Sequence, residues 1–298
     1  MLPLITNMSK KIPTWLAWII FWLFATFIAG WLNYQNRHLT INNYQINSSA
    51  WPAILDGWRL VQISDLHNQA VYGPGNNKII TTVQELRPHA IMLTGDTFDG
   101  RVTNIPANLE LISRLKEIAP VYYITGNHEF SNDDYFALTL AVQKAGATVL
   151  RDQILPIEES GTIINLIGLD DPSVLGGPMP LTTTQKIIEL KLQILQSLPE
   201  YSSSSPTILL AHRPEFWSSY LTIKPLITLS GHTHGGQLRL PLIGSIYVPN
   251  QKLFTKLDRG SFEKNNSHLI ISQGLGNSSI EQRLLAYPEI VSLDFFHQ

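Results

Sequence analysis

Five times in 298 residues an apolar run gives way to side chains that bind cations or move protons. They are Asp65 and His67, Asp96, Asn127 and His128, His212, and finally His232 and His234. Five of the nine histidines stand at these places, and the two aspartates and the asparagine beside them make chance a poor explanation. Carboxylate, amide and imidazole donors without sulfur suit Zn, Mn or Fe. The chain has no cysteine, which excludes thiolate zinc sites, disulfides and thiol nucleophiles. The set is too large for one ion, and two ions sharing it is the economical solution. Two metals about 3.5 to 4 Å apart serve phosphoryl chemistry, because together they hold a nucleophile and neutralise charge on the phosphate oxygens. Cations that close need an anion between them, and Asp96 is the candidate. The stretch GHTHGGQ at 231–237 places two imidazoles two residues apart, where an extended backbone points both to one side. Its glycines leave room for a phosphate to approach or for positive φ, although the fragment alone reads equally well as a polar surface turn.

The elements that must position these groups follow an alternating pattern. Apolar, β-branched runs at 58–64, 89–95, 119–126, 207–211 and 225–231 alternate with helical periodicity, as in an α/β domain. Each candidate side chain follows the end of one run, and the carboxyl ends of strands are where α/β sheets bind ligands. Ile79, Ile80, Val83 and Leu86 fit one helix face, and Leu111, Leu115 and Ile118 another. Asn132 is the expected cap of a helix over 133–144 that Gly146 ends. A longer helix is expected over 184–198, followed by a serine-rich loop at 202–205. Further strands are expected near 245–248, 269–272 and 290–294, and Leu39, Ile41 and Ile46 suggest a short strand or hairpin within 33–50. There is no internal repeat and no second domain boundary.

Residues 15–32 read WLAWIIFWLFATFIAGWL, with no charge and nothing more polar than Thr26. As a helix this is about 27 Å long, close to the hydrocarbon thickness of a bilayer. Trp15, Trp18 and Trp31 lie toward its ends, where amphipathic rings favour the interface. A cleaved signal peptide fits less well, since cleavage after Ala25 or Ala29 puts Leu23 or Phe27 where a small residue is wanted. Lys10 and Lys11 before the span and only Arg37 soon after it favour an extracytoplasmic domain on a single-pass anchor. The net charge of -2 and pI near 6.5 give no basic field, so no nucleic-acid partner is expected.

Taken in order, Asp65-x-His67, Gly95-Asp96, Gly126-Asn127-His128-Glu129, His212 and Gly231-His232-x-His234 resemble the signature of the calcineurin-like metallophosphoesterase superfamily. The words ISDLH at 63–67, GHTHGGQ and GLGNSS...RLLAYPEI at 274–290 are similar to its membrane-associated branch, phosphodiesterases akin to UDP-2,3-diacylglucosamine hydrolase of lipid A biosynthesis. The likeness covers roughly 40–294. It implies a four-layer α/β/β/α sandwich behind a transmembrane helix, organised as a tail 1–13, an anchor 14–33 and a metallophosphoesterase domain 34–298. It implies one divalent ion, Mn, Fe or Zn, on Asp65, His67, Asp96 and His234, and a second on Asp96, Asn127, His212 and His232. It further implies in-line attack on phosphorus by hydroxide held between the ions, with His128 protonating the leaving oxygen. The substrate would be a small-molecule or lipid-linked phosphodiester or pyrophosphate. Arg213, Gln237, Asn277 and Arg283 are candidate phosphate or head-group contacts, with structural roles as the alternative. The phosphoprotein phosphatases of the superfamily carry arginines in GDxVDRG and RGNHE motifs. Here 96–100 reads DTFDG and 125–127 reads TGN, which disfavours a phosphoserine monoester. A broad phosphomonoesterase or nucleotide hydrolase, and an inactive scaffold, are the alternatives.

Overall fold

A computed structural model describes residues 13–67, 72–73, 76–99, 105–131, 134–176, 179–246, 248, 255–277 and 281–298. The first sheet contains β1 (Thr40–Asn47), β2 (Trp58–Ile63), β3 (Ala90–Thr94), β4 (Val121–Ile124), β5 (Thr148–Val149) and β14 (Glu289–Phe296). Its order is β1-β14-β2-β3-β4-β5, with β2 to β5 parallel and β14 antiparallel to β2. The second contains β6 (Gln153–Glu159), β7 (Thr162–Gly168), β8 (Thr207–Leu210), β9 (Ile227–Ser230), β12 (Gly260–Lys264) and β13 (Ser267–Ile271). Its order is β12-β13-β9-β8-β7-β6, with β7, β8, β9 and β13 parallel.

Alternation along each strand divides the core into layers. Leu60, Met92, Ile124, Ile208, Leu229 and Leu293 fill the space between the two sheets. Val61, Ile91, Leu93 and Val121 face the other way, against α2 (Asn77–Leu86), α3 (Ile105–Lys116) and α4 (Tyr135–Lys144). On the far side Ile167, Leu209 and Ala211 pack under α5 (Leu181–Gln196) and the short α6 (Trp217–Tyr220). This is the expected α/β/β/α sandwich. Burial of both faces explains why the strands read as unbroken apolar runs.

Of the two polar residues on β2, Arg59 and Gln62, the second is fully buried between the sheets. Its Nε2 donates to Thr94 Oγ1 and to Ser230 O, both at 2.9 Å, tying β3 and β9 together at their carboxyl ends. The five expected strands and the helices appear with ends shifted by a few residues. Helix α4 starts at Tyr135, with Asp134 Oδ1 accepting the Ala137 amide at 3.2 Å; the expected cap, Asn132, lies outside the described residues. Sequence periodicity did not reveal the β6–β7 hairpin, whose signal is a Ser160-Gly161 turn with φ of 51° and 74°. Pro156 within β6 is tolerated because β6 is an edge strand.

The apolar helix α1 runs over Thr14–Arg37, four residues past the expected boundary at 33. It continues because the polar residues of its last turn find partners on the domain, described below. The expected tail 1–13 and its Lys10 and Lys11 lie outside the described residues, apart from Pro13.

Candidate metal centre

The expected side chains converge at the carboxyl ends of β2, β3, β4, β8 and β9. Asp65, His67 and His234 form one buried group, and Asp96, His212 and His232 another, with the donor atoms of each within 4.8 Å of one another. His67 Nε2 lies 3.2 Å from His234 Nε2 and 3.8 Å from Asp96 Oδ2, while His212 Nε2 lies 3.1 Å from the same Asp96 oxygen. Asp96 thus stands between the two groups. The Asn127 amide oxygen is buried without a hydrogen-bond partner, and His212 Nε2, though close to Asp96, makes no hydrogen bond of acceptable geometry. Buried polar atoms left this way cost about 1–3 kcal/mol each, and a cation would satisfy both. Oxygen and imidazole donors with orphaned atoms aimed inward fit two divalent ions.

The backbone is bent to make this possible. Asp65, His67, Asp96, His232 and His234 all have positive φ, between 49° and 69°. Such conformations cost about 1–3 kcal/mol each in non-glycine residues and persist only where the surroundings impose them. Here the Asp65 amide donates to Gly95 O and the His67 amide to Asp96 O, both at 3.0 Å. The His232 amide donates to both Asp65 carboxylate oxygens, and the His128 amide to Asp96 Oδ1 at 2.8 Å. His232 and His234 therefore do not sit on an extended backbone, as their spacing suggested; β9 ends at Ser230 and the two rings go to different groups. Of the glycines in 231–237, Gly235 and Gly236 have the expected positive φ, 63° and 71°, whereas Gly231, like Gly126 in another loop, serves packing. A Cβ on Gly231 would strike Ser64 Oγ and the Asp65 carboxylate, and one on Gly126 would strike Asp96, so both positions are dictated by close packing of backbone on ligand side chains.

Second partners orient the rings. His212 Nδ1 lies 2.7 Å from Thr94 O and His234 Nδ1 3.2 Å from Gly276 O, leaving Nε2 of each ring toward the centre. Burial, helped by neighbouring imidazoles, drives His232 and His234 well below the usual histidine range, toward the neutral form that can donate a lone pair. Burial opposes charge on Asp96, yet the His212 imidazole and its neighbours hold that carboxyl well below its ordinary value.

His128 belongs to neither of these groups but to a third, with His67 and Asp99. It is partly exposed, and its Nδ1 lies 3.4 Å from Asp99 Oδ1. Asp99 also approaches His67 Nδ1, at 3.8 Å, and so lies between the two rings. Sequence reasoning gave Asp99 no place; its only signal is the interval of three from Asp96. Glu129 was part of the quoted motif but had been given no role. Buried at 1% exposure, it accepts the amides of Asp96 and Phe98, both at 3.1 Å, and of Gly126 at 2.7 Å, stapling two ligand loops together. Burial and the nearby Asp96 push its carboxyl up to about 7.

The four candidate substrate contacts are engaged within the protein. Arg213 Nε and Nη2 form a fork on Asp171, at 2.6 and 3.1 Å. Arg283 is fully buried, with its guanidinium on Asn277 Oδ1, Ala286 O, Gln273 O and Gly276 O, so its place is that of a brace behind His234. Asn277 also donates to Glu281 O at 2.5 Å. Gln237 is buried, and its backbone carbonyl accepts the Leu284 amide at 2.8 Å.

Residues 59–236 match the family model described as calcineurin-like phosphoesterase. A Bacillus subtilis (strain 168) protein named uncharacterized metallophosphoesterase YkuE is 30% identical over 88% of this chain and 87% of its own length. A Danio rerio protein named transmembrane protein with metallophosphoesterase domain is 28% identical over 81% of this chain, which spans 54% of that relative. Phosphodiesterase YaeI of Escherichia coli (strain K12) is 28% identical over 70% of this chain and 71% of its own length.

Proposed function

The chain belongs to the calcineurin-like phosphoesterase family, whose members hydrolyse phosphoesters with two divalent metal ions, and from that premise we propose a membrane-anchored hydrolase of phosphodiester or pyrophosphate bonds. The observation that carries the reading is the pair of buried groups, Asp65 with His67 and His234, and Asp96 with His212 and His232, joined through Asp96. One ion would be held by Asp65, His67, Asp96 and His234, and the other by Asp96, Asn127, His212 and His232. Bound there, the cations would supply positive charge for the phosphate oxygens and lower the pKa of a water between them. His128, outside both groups, donates the proton to the leaving oxygen, since an imidazole ligated to metal has no lone pair left to carry one. Asp99, beside His128 Nδ1, holds that ring in the orientation that leaves Nε2 for the substrate.

A diester or pyrophosphate is favoured over a monoester because the segments 96–100 and 125–127 contain no arginine, and Arg213 is held by Asp171. The names of the Escherichia coli and Danio rerio relatives agree with a phosphodiesterase and with a membrane anchor. Helix α1, 24 residues long with its apolar side chains exposed, supports a single span. Lys10 and Lys11 before the span, against only Arg37 soon after it, support a start in the cytoplasm and a domain outside.

The test is a substrate panel with Mn-, Fe- or Zn-loaded protein: an aryl phosphodiester, an aryl phosphomonoester and UDP-2,3-diacylglucosamine. Higher kcat/KM on the diester or the lipid pyrophosphate is expected. Preference for the monoester would overturn the reading in favour of a broad phosphomonoesterase.

A further inference from the structure

The end of α1 and a small hairpin beside the metal centre grip the same segment, 282–285, from two sides. On one side the Arg283 amide donates to Asn36 Oδ1 at 2.7 Å, the Leu285 amide to Gln35 Oε1 at 3.1 Å, and Gln282 Nε2 to Leu32 O at 3.0 Å. On the other, the Leu284 amide donates to Gln237 O at 2.8 Å and its carbonyl accepts the Arg239 amide at 2.9 Å. The hairpin is β10 (Arg239–Leu240) paired with β11 (Gly244–Ser245). The helix end and the hairpin base thus hold the same short segment.

The hairpin grows directly out of the site. The turn His234–Gly236 leads into it, and Arg239 Nη1 donates back to Gly235 O at 2.7 Å. Its tip is apolar: Leu240, Leu242 and Ile243 are exposed to 40%, 108% and 58%, with Pro241 among them. Leu242 also has φ of 66°, a conformation uncommon for a bulky residue. Single exposed apolar residues are ordinary, but turns facing water draw on Gly, Asn, Asp and Ser. Here a cluster of aliphatic side chains is held out on a turn, bonded through one segment to a helix that is itself apolar and exposed along its length.

We propose that Leu240, Leu242 and Ile243 enter the surface of the bilayer that α1 crosses, holding the mouth of the metal centre at headgroup level so that its substrate is a phosphodiester or pyrophosphate still embedded in the membrane. The substrate class rests on the hydrolase reading above, whereas insertion of the hairpin rests on the geometry just given. The occupant is lipid because α1, bonded to the same segment as the hairpin base, has the length and composition of a span; a second copy of the chain is an outcome the test distinguishes.

The chain has no cysteine, so Leu242→Cys takes a single environment-sensitive label, and Leu190→Cys on α5, 57% exposed, serves as the remote control. The full chain is reconstituted in vesicles of phosphatidylethanolamine and phosphatidylglycerol carrying a doxyl-labelled lipid. Blue-shifted emission and quenching at position 242 but not at 190 is expected. Equal quenching at the two positions, or a shift at 242 that appears only as the chain self-associates, overturns the proposal. In a second arm, the double variant Leu242→Asp with Ile243→Asp is expected to lose about tenfold or more on a vesicle-embedded pyrophosphate while keeping its rate on a soluble aryl diester in detergent. Equal loss on both substrates counts against it. If wild-type protein turns over no phosphoester at all, the hydrolase reading fails, while the label still decides for or against insertion.

Discussion

Asp96 connects the two ligand groups, since its Oδ2 faces both His212 and His67 while its Oδ1 holds the His128 amide. Asp96→Ala is expected to abolish binding of both ions and nearly all activity, as read by elemental analysis and turnover on an aryl diester. Retention of one ion per chain would show that the carboxylate does not bridge. His128→Ala is expected to keep two metals and to slow kcat by about 10² to 10⁴, the usual contribution of a positioned general acid. Loss of metal in that variant would make His128 a ligand instead. These side chains were legible in the sequence because metal ligands are restricted to few residue types and each followed the end of an apolar run. Glu129 stood in the motif Gly126-Asn127-His128-Glu129, but its role was not legible there, since nothing in sequence shows that a carboxylate will accept three backbone amides.

The strands and their loops are held by buried polar ties that alternate with the apolar pattern. Gln62 joins β3 to β9, and Glu289, at the start of β14, accepts the Gln273 amide at 2.7 Å and its Nε2 at 2.8 Å, and bonds Asn42 on β1. Burial raises the Glu289 carboxyl above its ordinary value near 4.5, against the bonds from Gln273, so the folded chain holds this proton more tightly than the unfolded one. The stability this supplies is complete below about pH 4.5 and is lost as pH rises through the raised folded value. Glu289→Gln is therefore expected to flatten the fall of Tm with pH above about 4.5. Parallel Tm profiles for variant and wild type would show that the group carries no such linkage. Patterning alone located most of these strands within a few residues, but it missed β6 and β7, although Ile164, Leu166 and Ile167 of β7 are core residues and a two-residue turn joins the pair.

As a molecule, the protein joins a sandwich with three apolar layers to an apolar helix, and the centre lies where the two sheets are tied together. Because the ligands come from loops of both sheets, metal binding is expected to stabilise the whole domain. At a hundredfold excess over Kd each ion contributes about 2.7 kcal/mol, so chelation is expected to lower Tm by roughly 5 to 10 °C per ion, restored on adding Mn or Zn. An unchanged Tm with metal loss confirmed by elemental analysis would show that the folded chain holds the ions no more tightly than the unfolded one.

The amino-acid order determined which side chains are candidates for the chemistry, the alternation of strands and helices, and the apolar segment before them, since these depend on residue type and local periodicity. Tertiary structure alone decided that Asp65 and His234 share one group, that Arg213 and Arg283 are held inside the protein, that Gly126 and Gly231 are packing sites, and that α1 and the apolar hairpin meet on one segment. Such contacts join residues far apart in the chain, and no local preference encodes which distant partner a buried polar group will find.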